Sequence, residues 1–339
     1  MEYDKPFKTL DEQLEVLEYR GLKIHNHTKA KEILMTYSYY DLINGYKDIF
    51  MPDDVFKPGV TLWDIVFFSY VDKDIQSLIM RYSLIAETKF KNHIAYVLAK
   101  NLGVHQDEYL NPKHYKKKVN KNIPFAKILD KFKVQLNGGK GSYYPTKYYV
   151  QNHNHVPPWI LFKNVSLGTA INLFKSCNPD NKAEIANMLL PQSTLEPKEK
   201  IEFISIAMNQ IRYFRNCTAH NLNFIKCRTT QNIPRESLYK LLPKGVIRKY
   251  KGAVCRNDKI SLRGSFGILL SLYAIIQDNL ICSGMFVNFM ETLNPTDEYD
   301  TVIFKEYLKI ADIPVDTKKR LAKLLPKEYK HANFSSHAE

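Results

Sequence analysis

Glycine is sparse in this chain, at 13 residues of 339. That leaves little for the tight turns of an all-β fold, and no stretch alternates polar and apolar residues as a half-buried strand does. No apolar run approaches the roughly 20 residues that span a bilayer. The most apolar one, Phe266 to Ile276, gives way to Gln277 and Asp278. The N-terminal stretch MEYDKPFKTLDEQLEVL is charged from its second residue, unlike a signal peptide. The cysteines (Cys177, Cys217, Cys227, Cys255 and Cys282) are odd in number and scattered, with no C-x-x-C pair. This speaks against a disulfide framework and a zinc ribbon, and a reducing cytoplasm is the simplest fit. No internal repeat is present. A soluble, all-α protein with no membrane partner is expected.

Acid is missing from one place in particular. Between Lys113 and Tyr149 stand ten lysines and a single acid, Asp130, so this stretch supplies +9 of the formal net charge of +14. With a pI near 9.3, the balance suits a polyanion, and nucleic acid is preferred to a membrane surface. The remainder is ordinary globular composition, 45% hydrophobic and 25% charged, enough to bury a sizeable core.

The helices announce themselves by caps and apolar spacing. Thr9 and Glu12 have capping-box spacing before Leu10, Leu14 and Leu17, and Gly21 reads as a stop. A second helix is expected from about Thr28 through YSYYDLINGY, ended by Gly45. Thr61 caps another, with Asp64 in its first turn, and a long pattern runs from about Asp72 to Asn101 before Gly103. A short helix is expected around Ile123 to Leu136. Others are expected from Pro157-Pro158-Trp159 through Leu173, from Lys182 to Leu190, and from Glu196-Pro197 through Ile211. The most apolar helix should span about Leu262 to Ile281. Small helices and a frayed tail, HANFSSHAE, follow.

Some apparent motifs carry nothing. HNH occurs twice as consecutive letters, at 25–27 and 153–155, whereas the nuclease motif of that name is dispersed over a metal-binding unit. Without nearby carboxylate or cysteine ligands, His153 and His155 are not read as a metal site, and no metal or cofactor is expected. GGKGS lacks the spacing of a phosphate-binding P-loop. The lysine-rich insert is different, because tyrosines are interleaved with its cations. Lysines neutralise phosphates and exposed aromatic rings stack on unpaired bases. Lys113, Lys116, Lys117, Lys118, Lys121, Lys140 and Lys147, with Tyr143 and Tyr144, are the candidate nucleic-acid contacts. The plain alternative is an insert whose lysines are merely solvated.

The remaining candidate is RYFRNCTAHN, residues 212–221, at the end of an apolar helix. Its bland reading is a helix terminus carrying cations that oppose the dipole. Its chemical reading is a phosphodiester-cleaving site. RNA is cut when a 2′-hydroxyl attacks the adjacent phosphorus. His220 can move the protons, Arg215 can hold the non-bridging oxygens, and Asn216 can orient either group. At 100° per residue, Arg215 and His220 stand about 140° apart around an ideal helix, so they cannot share a narrow stripe. Fraying after Thr218, or a second copy of the chain, would be needed to join them.

Several blocks together, KPFKTLDEQLEVLEYRGLKI, YSYYDLINGY, VPPWILFKNVSLGTAINLF and IRYFRNCTAHN, resemble in order the Abi-like family of bacterial abortive-infection proteins. They span about residues 5 to 293. The C-terminal half of that family carries the HEPN ribonuclease signature R-N-x₃-H. The resemblance implies a HEPN-like helical bundle with a lysine-rich insert and extra N- and C-terminal helices. It implies a metal-independent endoribonuclease that dimerises across its motif helices, acts on RNA and serves anti-phage defence. Arg215, Asn216 and His220 fall at the catalytic positions. The corresponding organisation is an N-terminal helical segment at 1–60, a bundle at 61–293 that includes the basic insert 105–155, and C-terminal helices with a tail at 294–339. Two departures stand out. Many members follow the motif with a second histidine and Arg-Leu-Trp, whereas here Asn221-Leu222-Asn223-Phe224 follows. Related sequences often have arginine after an Ile-Glu pair in the earlier helix, where this chain reads Ala86-Glu87-Thr88-Lys89-Phe90-Lys91. A non-catalytic RNA-binding module remains the alternative, and a regulatory small RNA or an antitoxin is a further candidate partner.

Overall fold

The computed structural model describes residues 3–120, 123–191, 193–250, 253–254, 262–292 and 298–325. Lys121, Cys255 and the C-terminal tail lie outside the described residues. The chain is mostly helical, as expected. Its only regular strands among the described residues are two minimal antiparallel pairs, Lys118–Asn120 with Ile123–Pro124 and Lys249–Tyr250 with Ala253–Val254.

The N-terminal helices α1 (Leu10–Tyr19) and α2 (His27–Tyr37) pack on each other. The Thr9–Glu12 capping box forms in both directions. The second helix does not run on to Gly45. It breaks at Ser38, whose φ of 60° lies in the left-handed region and whose Oγ accepts the Asp41 N–H. A π-helical turn over Tyr40–Asn44 follows, and Gly45 starts α3 (Gly45–Phe50) instead of ending α2. A Cβ on Gly45 would stand 2.0 Å from Asn223 Nδ2, so the residue is small because another segment presses on it.

The spine is α4, Leu62–Leu102, 41 residues without interruption. The Thr61–Asp64 capping box opens it and Gly103 closes it at φ 107°. What reads in sequence as two helices is one, because no proline or glycine lies between them. At 1.5 Å per residue it is about 60 Å long. Its buried positions carry not only Ile75, Ile79, Tyr82, Phe90 and Ile94 but also Asp72, Gln76, Glu87 and Lys91.

After α5 (Gln106–Tyr109) the insert folds back through α6 (Phe125–Leu136) and α7 (Thr146–Asn152). Tyr115, Phe125 and Phe132 turn inward, with the Tyr115 and Phe125 rings stacked at 4.4 Å. The helix expected from Pro157 onward is two, α8 (Pro158–Leu161) and α9 (Leu167–Ser176), with Ser166 capping the second. Then come α10 (Pro179–Leu189), capped by Asn178, and α11 (Pro197–Ala219). Helix α11 buries Phe203, Ile204, Ala207, Met208, Ile211 and Phe214 among α4, α9 and α10.

Following α12 (Arg235–Leu241), the apolar stretch divides into α13 (Ser265–Ile276) and α14 (Asn279–Thr292), because Gln277 turns left-handed and Asp278 caps the new start. Lys89 Nζ donates to the Ile275 and Ile276 carbonyls, closing the end of α13. Helices α15 (Glu298–Ile310) and α16 (Thr317–Leu321) are the last α-helices among the described residues. The first of them returns to α4. The buried apolar side chains form one cluster running from Leu14 to Leu325.

Candidate active site at the end of the motif helix

The end of α11 is more regular than the sequence implies. It does not fray after Thr218. The helix continues to Ala219, His220 is its cap, and Asn221 adopts φ 54°. The Leu222 N–H bonds the Cys217 carbonyl at 2.9 Å and the Asn221 N–H bonds that of Thr218 at 3.0 Å, which is a Schellman closure. Asparagine serves because it tolerates the left-handed region better than other side-chain-bearing residues. His220 is thus an exposed imidazole on a rigid corner.

That corner is held from below by α4. Asp72, fully buried, accepts hydrogen bonds from the Phe224 N–H (2.9 Å), Tyr307 Oη (2.8 Å), Gln76 Nε2 (3.1 Å) and Tyr46 Oη (3.2 Å). Burial raises its pKa, and these donors only partly oppose the rise. Gln76 also reaches the Leu222 carbonyl, and Lys73 Nζ holds Asn221 Oδ1 at 2.5 Å. Helix α4 thus holds the segment 221–224 that follows the histidine, and Asp72 ties that segment to Tyr46 of α3 and to Tyr307.

Arg215 is fixed by a different pair on the same spine. Glu87 and Lys91 of α4 form an ion pair at 2.6 Å with side chains only 10% and 11% exposed, and Lys91 also donates to the Val165 carbonyl. Arg215 Nε lies 3.9 Å from the other Glu87 oxygen. Both of those atoms are buried without a hydrogen bond. The carboxylate accordingly balances two cations, and the Arg215 side chain stays one-third exposed. Its Nη1 donates to Asn216 Oδ1 at 3.3 Å.

Arg215 and Asn216 are brought together, but His220 faces elsewhere. The histidine lines a cleft of about 310 Å³ with Tyr40, Asp41, Asn44, Asn221 and Lys226, and Arg215 is not part of that lining. A second cleft of about 390 Å³ adjoins it through Asp41, Asn221 and Asn223. Cys217, inside the motif, lies beside Cys227, and the interaction of the two thiols lowers the pKa of Cys217 and raises that of Cys227.

The candidate nucleic-acid contacts of the insert form a separate surface. Lys113, Lys116, Lys117, Lys118, Lys140 and Lys147 are exposed, and none has a carboxylate partner among the described residues. Tyr143 is 65% and Tyr144 80% exposed. His153 stacks on Tyr149, and His155 Nδ1 contacts Asn154 Oδ1.

Sequence reasoning overlooks Asp72, Lys73 and Gln76 as site residues, and notes Glu87 and Lys91 only as part of a departure from related sequences. A signal exists, since Asp72 and Gln76 occupy the same three-four register as Ile75, Ile79 and Tyr82. Polar residues on an apolar stripe are either paired or costly.

No curated protein and no solved structure matches the chain. The family model described as Abi-like protein matches residues 32–226, from α2 through the spine and the insert to the segment that closes α11. With more than half of its length matched, and the match containing both the motif and the α4 residues that hold it, the chain belongs to the Abi-like protein family.

Proposed function

We propose that the protein is a HEPN-type endoribonuclease of abortive-infection defence that cuts RNA without a metal ion. The observation that carries this reading is the contrast at the end of α11. Two groups suited to phosphodiester chemistry, Arg215 and His220, reach solvent while their supports are polar and charged side chains buried on α4. Preorganised groups of this kind stabilise charge that develops only in the transition state.

In the proposed reaction the 2′-oxygen of the upstream nucleotide bonds to phosphorus and the bond to the 5′-oxygen breaks. The proton of the 2′-hydroxyl leaves and a proton is delivered to the 5′-oxygen. His220 performs one of these transfers. Arg215 holds the non-bridging oxygens, and Asn216 orients the guanidinium through their hydrogen bond. The products are a 2′,3′-cyclic phosphate and a 5′-hydroxyl. Because Arg215 does not line the His220 cleft of its own chain, a homodimer across the α11 ends would supply the complete set, arginine from one copy and histidine from the other. A cytoplasmic setting suits such an activity, as does restraint by a regulatory RNA or an antitoxin. No described helix is long and apolar enough to cross a membrane.

The test is cleavage of RNA in EDTA by the wild type, Arg215→Ala and His220→Ala, with the ends of the products identified. Cyclic phosphate ends, lost in both variants, are expected. The exposed lysines of the insert favour a second reading, a module that only holds RNA. On that reading all three proteins bind RNA alike and none cuts it.

A further inference from the structure

One cleft lies on the motif helix, N-terminal to Arg215, and has no part in the chemistry above. It measures about 360 Å³ and is lined by Lys175, Asn209, Arg212, Arg228, Thr229 and Gln231, among others, with no carboxylate. Arg228 is already engaged, by Asp312 at 2.7 Å and by the carbonyls of Ile225, Cys227 and Ile310. Lys175 and Arg212 have no acidic partner among the described residues.

Arg212 is exposed, but Lys175 is not a freely solvated surface cation. Lys175 is half-buried, and its pKa is lowered first by burial and then by Arg212. Arg212 lies across the first turn of α9, where a Cβ on Gly168 would stand 3.4 Å from its Cδ. Gly168 and Lys175 are seven residues apart, two turns along one stripe of that helix, and helical side chains lean toward the N-terminus. The ammonium and the guanidinium thus line one cleft, close enough for one charge to act on the other. Two like charges drawn together beside a cleft, with Thr229 and Gln231 on its wall, lack only an anion.

The cleft also connects two regions described separately. Arg212 precedes Arg215 by three residues, about 4.5 Å of helix rise, on neighbouring stripes. In the other direction Lys182 Nζ is bonded to the Lys175 carbonyl, and Lys116 of the insert depresses the Lys182 pKa after burial does. The cleft thus stands between the insert and the motif, with the buried Lys182 joining Lys116 to Lys175 on one side and Arg215 one turn along α11 on the other.

We propose that the Lys175–Arg212 cleft is a phosphate-binding subsite for the RNA strand flanking the scissile bond, through which the insert feeds RNA to the end of α11. This rests on the ribonuclease reading for its choice of ligand. Its test is equilibrium binding of a fluorescein-labelled uridine 20-mer over a salt series. The full chain is used, with His220→Ala in every protein so that the RNA stays whole. The pair Lys175→Gln with Arg212→Gln should weaken binding on the order of tenfold. It should also lower the slope of log K against log salt by about 1.4, two contacts at about 0.7 each. The pair Lys175→Arg with Arg212→Lys should keep the slope. An unchanged slope in the glutamine pair overturns the subsite and leaves the cleavage reading intact. Loss of binding in both pairs alike assigns these residues a structural role and also overturns it. If the His220→Ala parent binds no RNA at any salt, the reading of the protein and the subsite fall together. Equal competition by polyglutamate would assign the cleft to an acidic protein instead.

Discussion

Glu87 illustrates how much of the site is invisible one residue at a time. In the sequence it is one acid among 35 acidic residues, yet in the fold it is the carboxylate that Lys91 and Arg215 share. Replacing it with glutamine leaves a nearly buried ammonium without its counter-charge, at a cost of about 3 kcal/mol, since breaking such a pair strands the remaining ion. Urea unfolding of Glu87→Gln checks this, and a change below 1 kcal/mol would contradict it. His220→Ala should stay within about 0.5 kcal/mol of wild type in the same measurement, because its side chain is exposed and the Schellman closure uses only backbone groups. Arg215, Asn216 and His220 could be singled out as candidates, because their chemistry and spacing can be read from the letters alone. Their supports could not, because burial is a property of the fold and an acid's letter does not record it.

At the scale of elements, caps were the most readable feature. Thr9, Thr61 and Gly103 act where their chemistry places them. The misreadings all concern interruptions. Gly45 looks like a stop but marks the close approach of Asn223, and the break at Ser38 relies on a left-handed residue that is not glycine. Helix α4 continues where two helices were expected, and the apolar run after Leu262 divides at Gln277. Asp72 is where elements are joined, since its carboxylate links α4 to Tyr46 of α3, Tyr307 of α15 and the segment after α11. Asp72→Ala strands four donors at once and should cost about 4 kcal/mol. Hydrogen exchange should then show faster amides at residues 221–226 as well as in α3. Protection unchanged at 221–226 would mean that the segment is held by other contacts.

The whole molecule couples these parts through titration. Burial lowers the pKa of His93, whose Nδ1–H donates to the Lys89 carbonyl at 2.7 Å. The unfolded chain therefore takes up this proton more readily, so the stability it contributes is present above about pH 6.5 and is lost as pH falls through the folded value. Asp72 acts with the opposite sense. Its raised pKa means that its contribution is full below about pH 4 and declines as pH rises through the folded value. Melting curves from pH 4 to 8 should show His93→Gln with a shallower loss between pH 7 and 5 than the wild type, and an equal slope in both would exclude His93 as the source. The helical class and the basic insert were readable from composition and spacing, whereas the convergence of α3, α15 and the motif on one helix depends on long-range contacts that no local pattern encodes. The uninterrupted length of α4 has a further consequence. Its Asp72 and Gln76 hold the histidine corner while Glu87 and Lys91, some fifteen residues and about 22 Å further on, hold the arginine. Both anchors are thus written on a single screw thread. Adding or deleting one residue between them would turn one anchor by about 100° relative to the other. Substitutions can be absorbed along that stretch, but a change in its length cannot, so lineages of this chain should vary there in spelling and never in count.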